Sequence, residues 1–374
     1  MAKEKAGNSI VDDFLFKKPE KMEDGTIKTE RYETGILMFD KLLNGGFPQG
    51  KVISLGAEEG VGKTTMLIQS LGNIAETYSK KCYYFDVEGG ATYELFEALG
   101  YAHVLYDPLE NPDGKLFLLN VTTIQDISRL IKKLTTDKDT AVIVIDTDTD
   151  VVDGNAMAEE DLGTSAKAAA INARMWSKAM PPIKAVVKES DVCLVIVHQA
   201  RTDISGFMPK TVSSGGRAVR HATSVEIWGK RKGWIMPDYS LSKASKDKEK
   251  AIGASVKFTT EKNRLTKPFA SISIPIFFGK GVSNKWAYKE WLEEHDWVDS
   301  VTGETIPFIA KKGSWFNIVL PSGLTAKVQG DPKVWEFVNE HYEEIVELVN
   351  SLGGITIEQG RPDIDDEDDM FNGD

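Results

Sequence analysis

Ala57-Glu58-Glu59-Gly60-Val61-Gly62-Lys63-Thr64 follows the apolar run Val52–Leu55 and precedes Thr64–Tyr78, a segment with helical periodicity. A strand, a glycine-bearing turn, a lysine and a hydroxyl residue, in that order, make a phosphate cradle. Backbone N–H groups of Glu59, Gly60, Val61, Gly62, Lys63, Thr64 and Thr65 point inward. The helix that follows adds the positive end of its dipole. The Lys63 ammonium reaches toward the β- and γ-phosphates, and the Thr64 hydroxyl is placed to ligate Mg²⁺. The first position is Ala rather than Gly, and Gly56 beside it leaves room for a shifted register. The segment therefore predicts ATP binding with Mg²⁺.

Working outward, apolar runs of strand length recur at Cys82–Phe85, Leu116–Leu119, Ala141–Ile145 and Val192–Val197, separated by helical segments such as Ala166–Lys188. Near-continuous apolar strands alternating with helices predict an α/β fold with a mostly parallel sheet covered on both faces. Ala141–Ile145 ends in Asp146, a carboxylate suited to the metal shell, with Thr64 as its companion. Tyr83–Phe85 runs into two acids, of which Glu88 is expected to position the attacking water and Asp86 to be structural. Lys230–Lys250, rich in Lys, Ser, Asp and Gly, reads as an exposed loop.

Past Gly281 the composition changes, with Trp286, Trp291, Trp297, Trp315 and Trp335 supplying most of the eight tryptophans. A strand at Trp315–Val319, a Pro321-Ser322-Gly323 turn and helical periodicity over Pro332–Leu348 predict a small C-terminal α/β lobe. The expected division is 1–33 as an oligomerisation or anchor segment, 34–281 as the ATPase core, 282–352 as the lobe and 353–374 as a disordered acidic tail. In the first of these, the apolar patch Ile10-Val11 and Phe14-Leu15-Phe16 suits either the chain's own core or a neighbouring protomer.

The net charge of −12 does not exclude a nucleic-acid partner, because seven acids lie between Asp363 and Asp374 and account for more than half of it. Cys82 and Cys193, both inside apolar runs, fit a reducing cytosol, and the N-terminus lacks an apolar signal core. No stretch reaches the roughly 18 uncharged apolar residues of a membrane span. The expected location is the cytoplasm.

The order of these elements resembles the RecA family of homologous recombinases, with features closer to the phage UvsX type. Thr34-Gly35-Ile36-Leu37-Met38-Phe39-Asp40 and Gly45-Gly46-Phe47-Pro48-Gln49-Gly50 resemble that family's approach to the phosphate loop, and the likeness runs from about Thr34 to Leu348. It implies a catalytic glutamate at Glu88 and a γ-phosphate sensor at Gln199, at the root of a DNA-binding loop Ala200–Gly216. That loop carries Arg201, Phe207, Lys210, Ser214, Gly215 and Gly216, with Arg217 just beyond. Cations suit phosphates, and an aromatic suits stacking on unpaired bases. A second DNA loop would be Asp153–Thr164, acidic at Glu159, Glu160 and Asp161, with Arg174 on the following helix near DNA. A later basic position of that helix is Pro181 or Pro182 here, with Lys184 as a substitute. Lys262 and Arg264 match cations that cross a filament joint to the neighbour's γ-phosphate. The adenine-stacking position falls at Leu95, with Tyr93 as a stand-in. The lobe from Gly313 to Tyr342 resembles a duplex-gathering domain. The implied partners are single-stranded DNA, homologous duplex DNA, further copies of this chain in a helical filament, and a single-strand-binding protein or loading mediator. A ring-forming helicase or motor on the same fold, and a non-catalytic recombinase paralogue, stay open as alternatives.

Overall fold

The computed structural model describes residues 30–154, 165–203, 210–213, 216–355 and 358–359. The central sheet runs in the order Gly281–Val282, Ala270–Phe277, Gly253–Asn263, Val225–Ile235, Val52–Ala57, Cys193–Asp203, Thr140–Asp146, Lys81–Asp86 and Leu116–Leu119. From Val225–Ile235 to Leu116–Leu119 every neighbour is parallel. The Gly253–Asn263 and Ala270–Phe277 strands return antiparallel.

The two faces are separated residue by residue. Cys82, Tyr84, Val142, Val144, Cys193, Val195 and Val197 join a core with the helix Lys63–Tyr78 and the short helix Leu37–Leu42. Tyr83, Phe85, Ile143, Ile145, Leu194 and Ile196 join the opposite core, against the helices Ile124–Leu134, Ser165–Lys188 and Gly216–Ala222. Alternation of period two, with both faces apolar, is the physical content of the covered parallel sheet. Ser165–Lys188 continues as one helix through Pro181 and Pro182.

The C-terminal lobe has its own core, in which Trp286, Trp291, Phe316, Trp335 and Phe337 are buried. It holds the helix Asn284–Glu294, an antiparallel three-stranded sheet (Ile309–Lys312, Trp315–Val319, Thr325–Gln329) and two terminal helices. The periodic stretch expected as one helix is two, Asp331–Glu340 and Tyr342–Ser351, broken at His341.

Two further expectations need correction, and a third gains detail. Lys230–Lys250 is not a single exposed loop: Val225–Ile235 is a strand paired on both sides, Leu241–Ser242 pairs back onto it, and Ser245–Lys250 forms a 3₁₀ turn. Lys230 and Lys232 are exposed while Gly233, Trp234 and Ile235 are buried, so a charged middle belongs to a strand with apolar ends. Arg31–Tyr32 pairs with Phe47–Pro48, and Tyr32 is buried in the main core, which ties the end of the N-terminal segment to the body of the central sheet. Glu358–Gln359, in the stretch expected to be disordered, pairs with Ala270–Ser271. The patch at 10–16 and the acids from 363 onward lie outside the described residues.

Candidate functional site

Parallel strands present their carboxyl ends along one edge, and the expected nucleotide residues gather there. The Val52–Ala57 strand delivers the phosphate loop, which turns through Gly60 (φ +67°) and Gly62 (φ +89°) into the helix. Gly62 is its N-cap, and no side chain caps the first turn, so the cradle's donors are not consumed by a capping residue. A Cβ at Gly62 would sit 2.7 Å from Ile276 Cγ2, whereas one at Gly60 would meet nothing within 4 Å. Thr65 is half-buried, Val61 buried, and Glu59 exposed.

Lys63 is 8% exposed, and its ammonium donates to the carbonyls of Ala57 (3.3 Å) and Glu58 (3.0 Å). Burial lowers its pKa, while the carboxylates of Asp146, Glu88 and Glu59 oppose that shift. Thr64 Oγ1 donates to Asp146 Oδ2 at 2.9 Å, which brings the two metal-holding candidates together. Asp146 lies 3% exposed; burial raises its pKa against hydrogen bonds from Tyr84 and Thr64 and the charge of Lys63. Its Oδ1 is buried without a hydrogen-bond partner. A hydroxyl and a carboxylate side by side, with one carboxylate oxygen unspent, fit a hard divalent cation such as Mg²⁺.

The sequence reading missed Tyr84. Its fully buried hydroxyl donates to Asp146 Oδ2. Strand alternation was the available signal, since Tyr84 shares the face of Asp86 and stands opposite Val144 on the metal strand.

Asp86 and Glu88, two apart, would share a face if the strand continued. It stops at Asp86, whose carboxylate accepts from the N–H groups of Gly89 (2.9 Å), Gly90 (3.1 Å) and Ala91 (3.0 Å). That turn frees Glu88, which is exposed and accepts from Gln199 Nε2 at 3.1 Å. Burial raises the Glu88 pKa first, then the charge of Asp146; Gln199 and Lys63 act the other way. Two residues 111 positions apart thus meet at the strand edge. Tyr93 is 56% exposed at the start of the helix Tyr93–Ala98, while Leu95 packs partly against the core.

The expected DNA residues fare unevenly. Ala200–Asp203 prolongs the strand of Gln199 and pairs with Lys210–Ser213 as an antiparallel ladder, so part of the expected loop is a hairpin. Arg201 and Lys210 lie on its two arms, and Gly216 and Arg217 open the helix Gly216–Ala222. Phe207, Ser214 and Gly215 lie outside the described residues, as does 155–164 of the other loop. Arg174 is exposed on its helix, and so is Lys184.

Lys262 and Arg264 are not at this edge. Lys262 stands opposite Glu226, and Asn263 opposite Val225, at the start of the Val225–Ile235 strand. The Lys262 ammonium donates to the Arg220 carbonyl, and Arg264 N–H donates to Ser224 O. Burial lowers the Lys262 pKa, and Arg264 adds to that effect. Arg220 itself is held by the buried Glu226 at 2.9 Å. Among the described residues no helix is long and apolar enough to cross a membrane.

Comparison with known proteins places this geometry. The family model described as the RecA N-terminal domain matches residues 18–283. Protein RecA of Bartonella bacilliformis is 27% identical over 333 residues, 88% of this chain and 84% of that one. Protein RecA of Mycoplasma pneumoniae is 28% identical over 285 residues, 74% of each. A crystal structure of the RadB recombinase covers 67% of this chain and 98% of its own, at 17% identity and a TM-score of 0.44. With a family match that spans well over half of its length, this chain belongs to the RecA family.

Proposed function

We propose that the chain is a DNA-dependent ATPase that polymerises head to tail on single-stranded DNA and exchanges strands with a homologous duplex. The observation that carries this reading is the polarity of the sheet. Lys262 is level with Glu226, and Glu226 with Ser54, whereas the phosphate loop leaves its strand after Ala57. At about 3.3 Å per residue and 4.8 Å per strand, the Lys262 backbone is roughly 14 Å from Ala57, and the nucleotide lies farther out. A lysine side chain does not span that gap. Two cations turned away from their own protomer's site suit the next protomer's γ-phosphate, as in an open heterologous assembly.

ATP would sit on the phosphate loop, with Lys63 leaving the Ala57 and Glu58 carbonyls for the β- and γ-phosphates, and Tyr93 beside the base. Thr64 and Asp146 would hold Mg²⁺, which when bound neutralises the phosphate oxygens. Glu88, exposed and tied to Gln199, would orient the attacking water and accept its proton. Gln199 would release Glu88 for the γ-phosphate and so move the hairpin Ala200–Asp203 and Lys210–Ser213 that it roots. Arg201, Lys210, Arg217 and Arg174 would meet the DNA backbone, and Phe207 an unpaired base. A single-strand-binding protein or loading mediator would act with it.

The experiment mixes two inactive chains. Glu88→Gln and Lys262→Ala should each lose about a hundredfold or more in DNA-stimulated hydrolysis. In an equal mixture about a quarter of joints pair an intact Glu88 with an intact Lys262, and activity should recover toward that fraction. Recovery no greater than the sum of the two variants removes the assignment in trans. A closed ring shares this joint, so electron microscopy with DNA and an ATP analogue, together with strand exchange by the purified protein, separates a recombinase filament from a motor ring.

A further inference from the structure

The most deeply buried histidine–carboxylate contact near the site takes no part in the mechanism above. His198 and Asp148 are 1% and 0% exposed, with Nδ1 of the imidazole 2.8 Å from Oδ2 of the carboxylate. The two groups are in contact at ion-pair distance, sealed from water on every side. Removing one strands the other in an apolar core, so the pair constrains whatever moves around it.

Its position is what makes it informative. Along the sensor strand, Cys193, Val195 and Val197 face the core of the phosphate-loop helix, and Gln199 continues that series toward Glu88. Leu194 and Ile196 face the opposite core, and His198 continues theirs. A stiff strand with Gln199 on one face and His198 on the other transmits a shift of the first as a shift of the second. Asp148 is tied in turn to two elements. Its N–H donates to Val197 O at 3.0 Å, and its carbonyl accepts from the Trp176 indole at 3.2 Å and Asn172 Nδ2 at 3.3 Å. Asn172 and Trp176 flank Arg174 on the helix Ser165–Lys188.

We propose that His198 is a positioning residue which, through Asp148, carries nucleotide state from Gln199 to the helix of Arg174. Both DNA-facing segments are then set together, the hairpin after Gln199 directly and the Arg174 helix through the back of the sheet. The inference rests on the proposed function in taking Gln199 as the γ-phosphate sensor.

The test uses the full chain labelled with 5-fluorotryptophan, the Trp176 resonance being assigned among eight by Trp176→Phe. Trp176 is fully buried on the face away from the nucleotide. In the unsubstituted chain without DNA, its resonance should move when ADP is exchanged for a non-hydrolysable ATP analogue. His198→Leu should bind the analogue within about threefold of the parent. It should lose that movement, and the ratio of single-strand affinities with the analogue and with ADP should fall about tenfold. His198→Asn, whose amide nitrogen takes the place of Nδ1 against Asp148, should keep both responses. A Trp176 resonance that still responds in His198→Leu overturns the proposal. Should that variant not fold, Asp148→Asn serves instead, and an undiminished response there overturns it equally. A Trp176 response without nucleotide-dependent DNA affinity supports the path and sinks the functional reading. Nucleotide-dependent affinity with a silent Trp176 does the reverse.

Discussion

Tyr84→Phe isolates one hydrogen bond to the Thr64–Asp146 pair. The Tyr84 ring is fully buried in the sheet, and phenylalanine keeps that packing. What is lost is the hydroxyl's bond to Asp146 Oδ2, an oxygen that then keeps only Thr64 at 2.9 Å. Asp146 is 3% exposed and burial already raises its pKa; the Tyr84 hydroxyl opposes that rise more strongly than any other neighbour. A hydrogen bond to a buried charged group contributes about 1.5–3 kcal/mol. Because the isostere opens almost no cavity, a net loss of ~2 kcal/mol is expected, or about 4–8 °C in melting temperature for a core of this size. The bond matters while Asp146 is ionised. The sign follows: the loss should be full at about pH 8 and shrink as pH falls through the raised Asp146 pKa, where the acid takes up its own proton. Calorimetry of the nucleotide-free protein at both pH values, repeated in an Asp146→Asn background, reads the coupling directly. A cost below about 0.5 kcal/mol, or one unchanged by Asp146→Asn, refutes the reasoning.

Other expectations follow from the same geometry. Gly62→Ala should cost more than Gly60→Ala, since both adopt left-handed φ, worth about 1–2 kcal/mol to a side chain, but only the former meets Ile276; equal midpoints in urea would remove the packing argument. Lys63→Ala should abolish ATP binding in a fluorescent-nucleotide titration while leaving the melting temperature near the parent's, because its two bonds reach only loop carbonyls. Asp40 is pushed up to about 6 by burial, despite hydrogen bonds from Thr34 and Gly35. Between about pH 4 and 6 the folded state then holds a proton the unfolded chain has lost. This carboxyl's contribution therefore weakens as pH rises through that window, and Asp40→Asn should flatten the corresponding slope in urea midpoints.

What the sequence could announce depended on how far apart the cooperating groups lie. The phosphate cradle is local: strand, αL glycines and helix N-terminus are consecutive, so spacing alone specifies it. Glu88 and Gln199, 111 positions apart, are joined by strand order, which no window of sequence contains. Resemblance to a family put each of them near the γ-phosphate, but neither it nor composition gave the bond between them. Tyr84 was read as one more apolar strand residue because its hydroxyl matters only once Asp146 is its neighbour. The break at His341 was invisible for a different reason. Val334, Val338, Ile345 and Val349 keep a single helical stripe across it, with no proline or glycine to mark the stop. Lys230–Lys232 misled in the opposite sense, since charge density reads as loop while Lys230 and Arg231 pair with Lys257 and Val256 of the neighbouring strand.

The described site satisfies itself, and that shapes how it can be switched. Lys63 donates to carbonyls of its own loop, Thr64 and Tyr84 both spend their hydroxyls on Asp146, and Gln199 holds Glu88. Beyond the effect of burial, Asp146 pushes the proton affinity of Glu88 upward and Asp86 does the same to Asp146, as happens when carboxylates crowd without enough cation. Anionic phosphates arriving with a divalent cation answer both needs at once: Lys63 gains a partner of opposite charge, and Asp146 a use for its idle oxygen. The gain at Lys63 requires its two bonds to loop carbonyls to open, and on the proposed function the Gln199–Glu88 bond opens as well, at the strand that carries Gln199. On the proposed function, nucleotide binding and movement of that strand both exchange partners within this resting set. A chain locked in the resting set would bind ATP weakly for the same reason that it failed to switch.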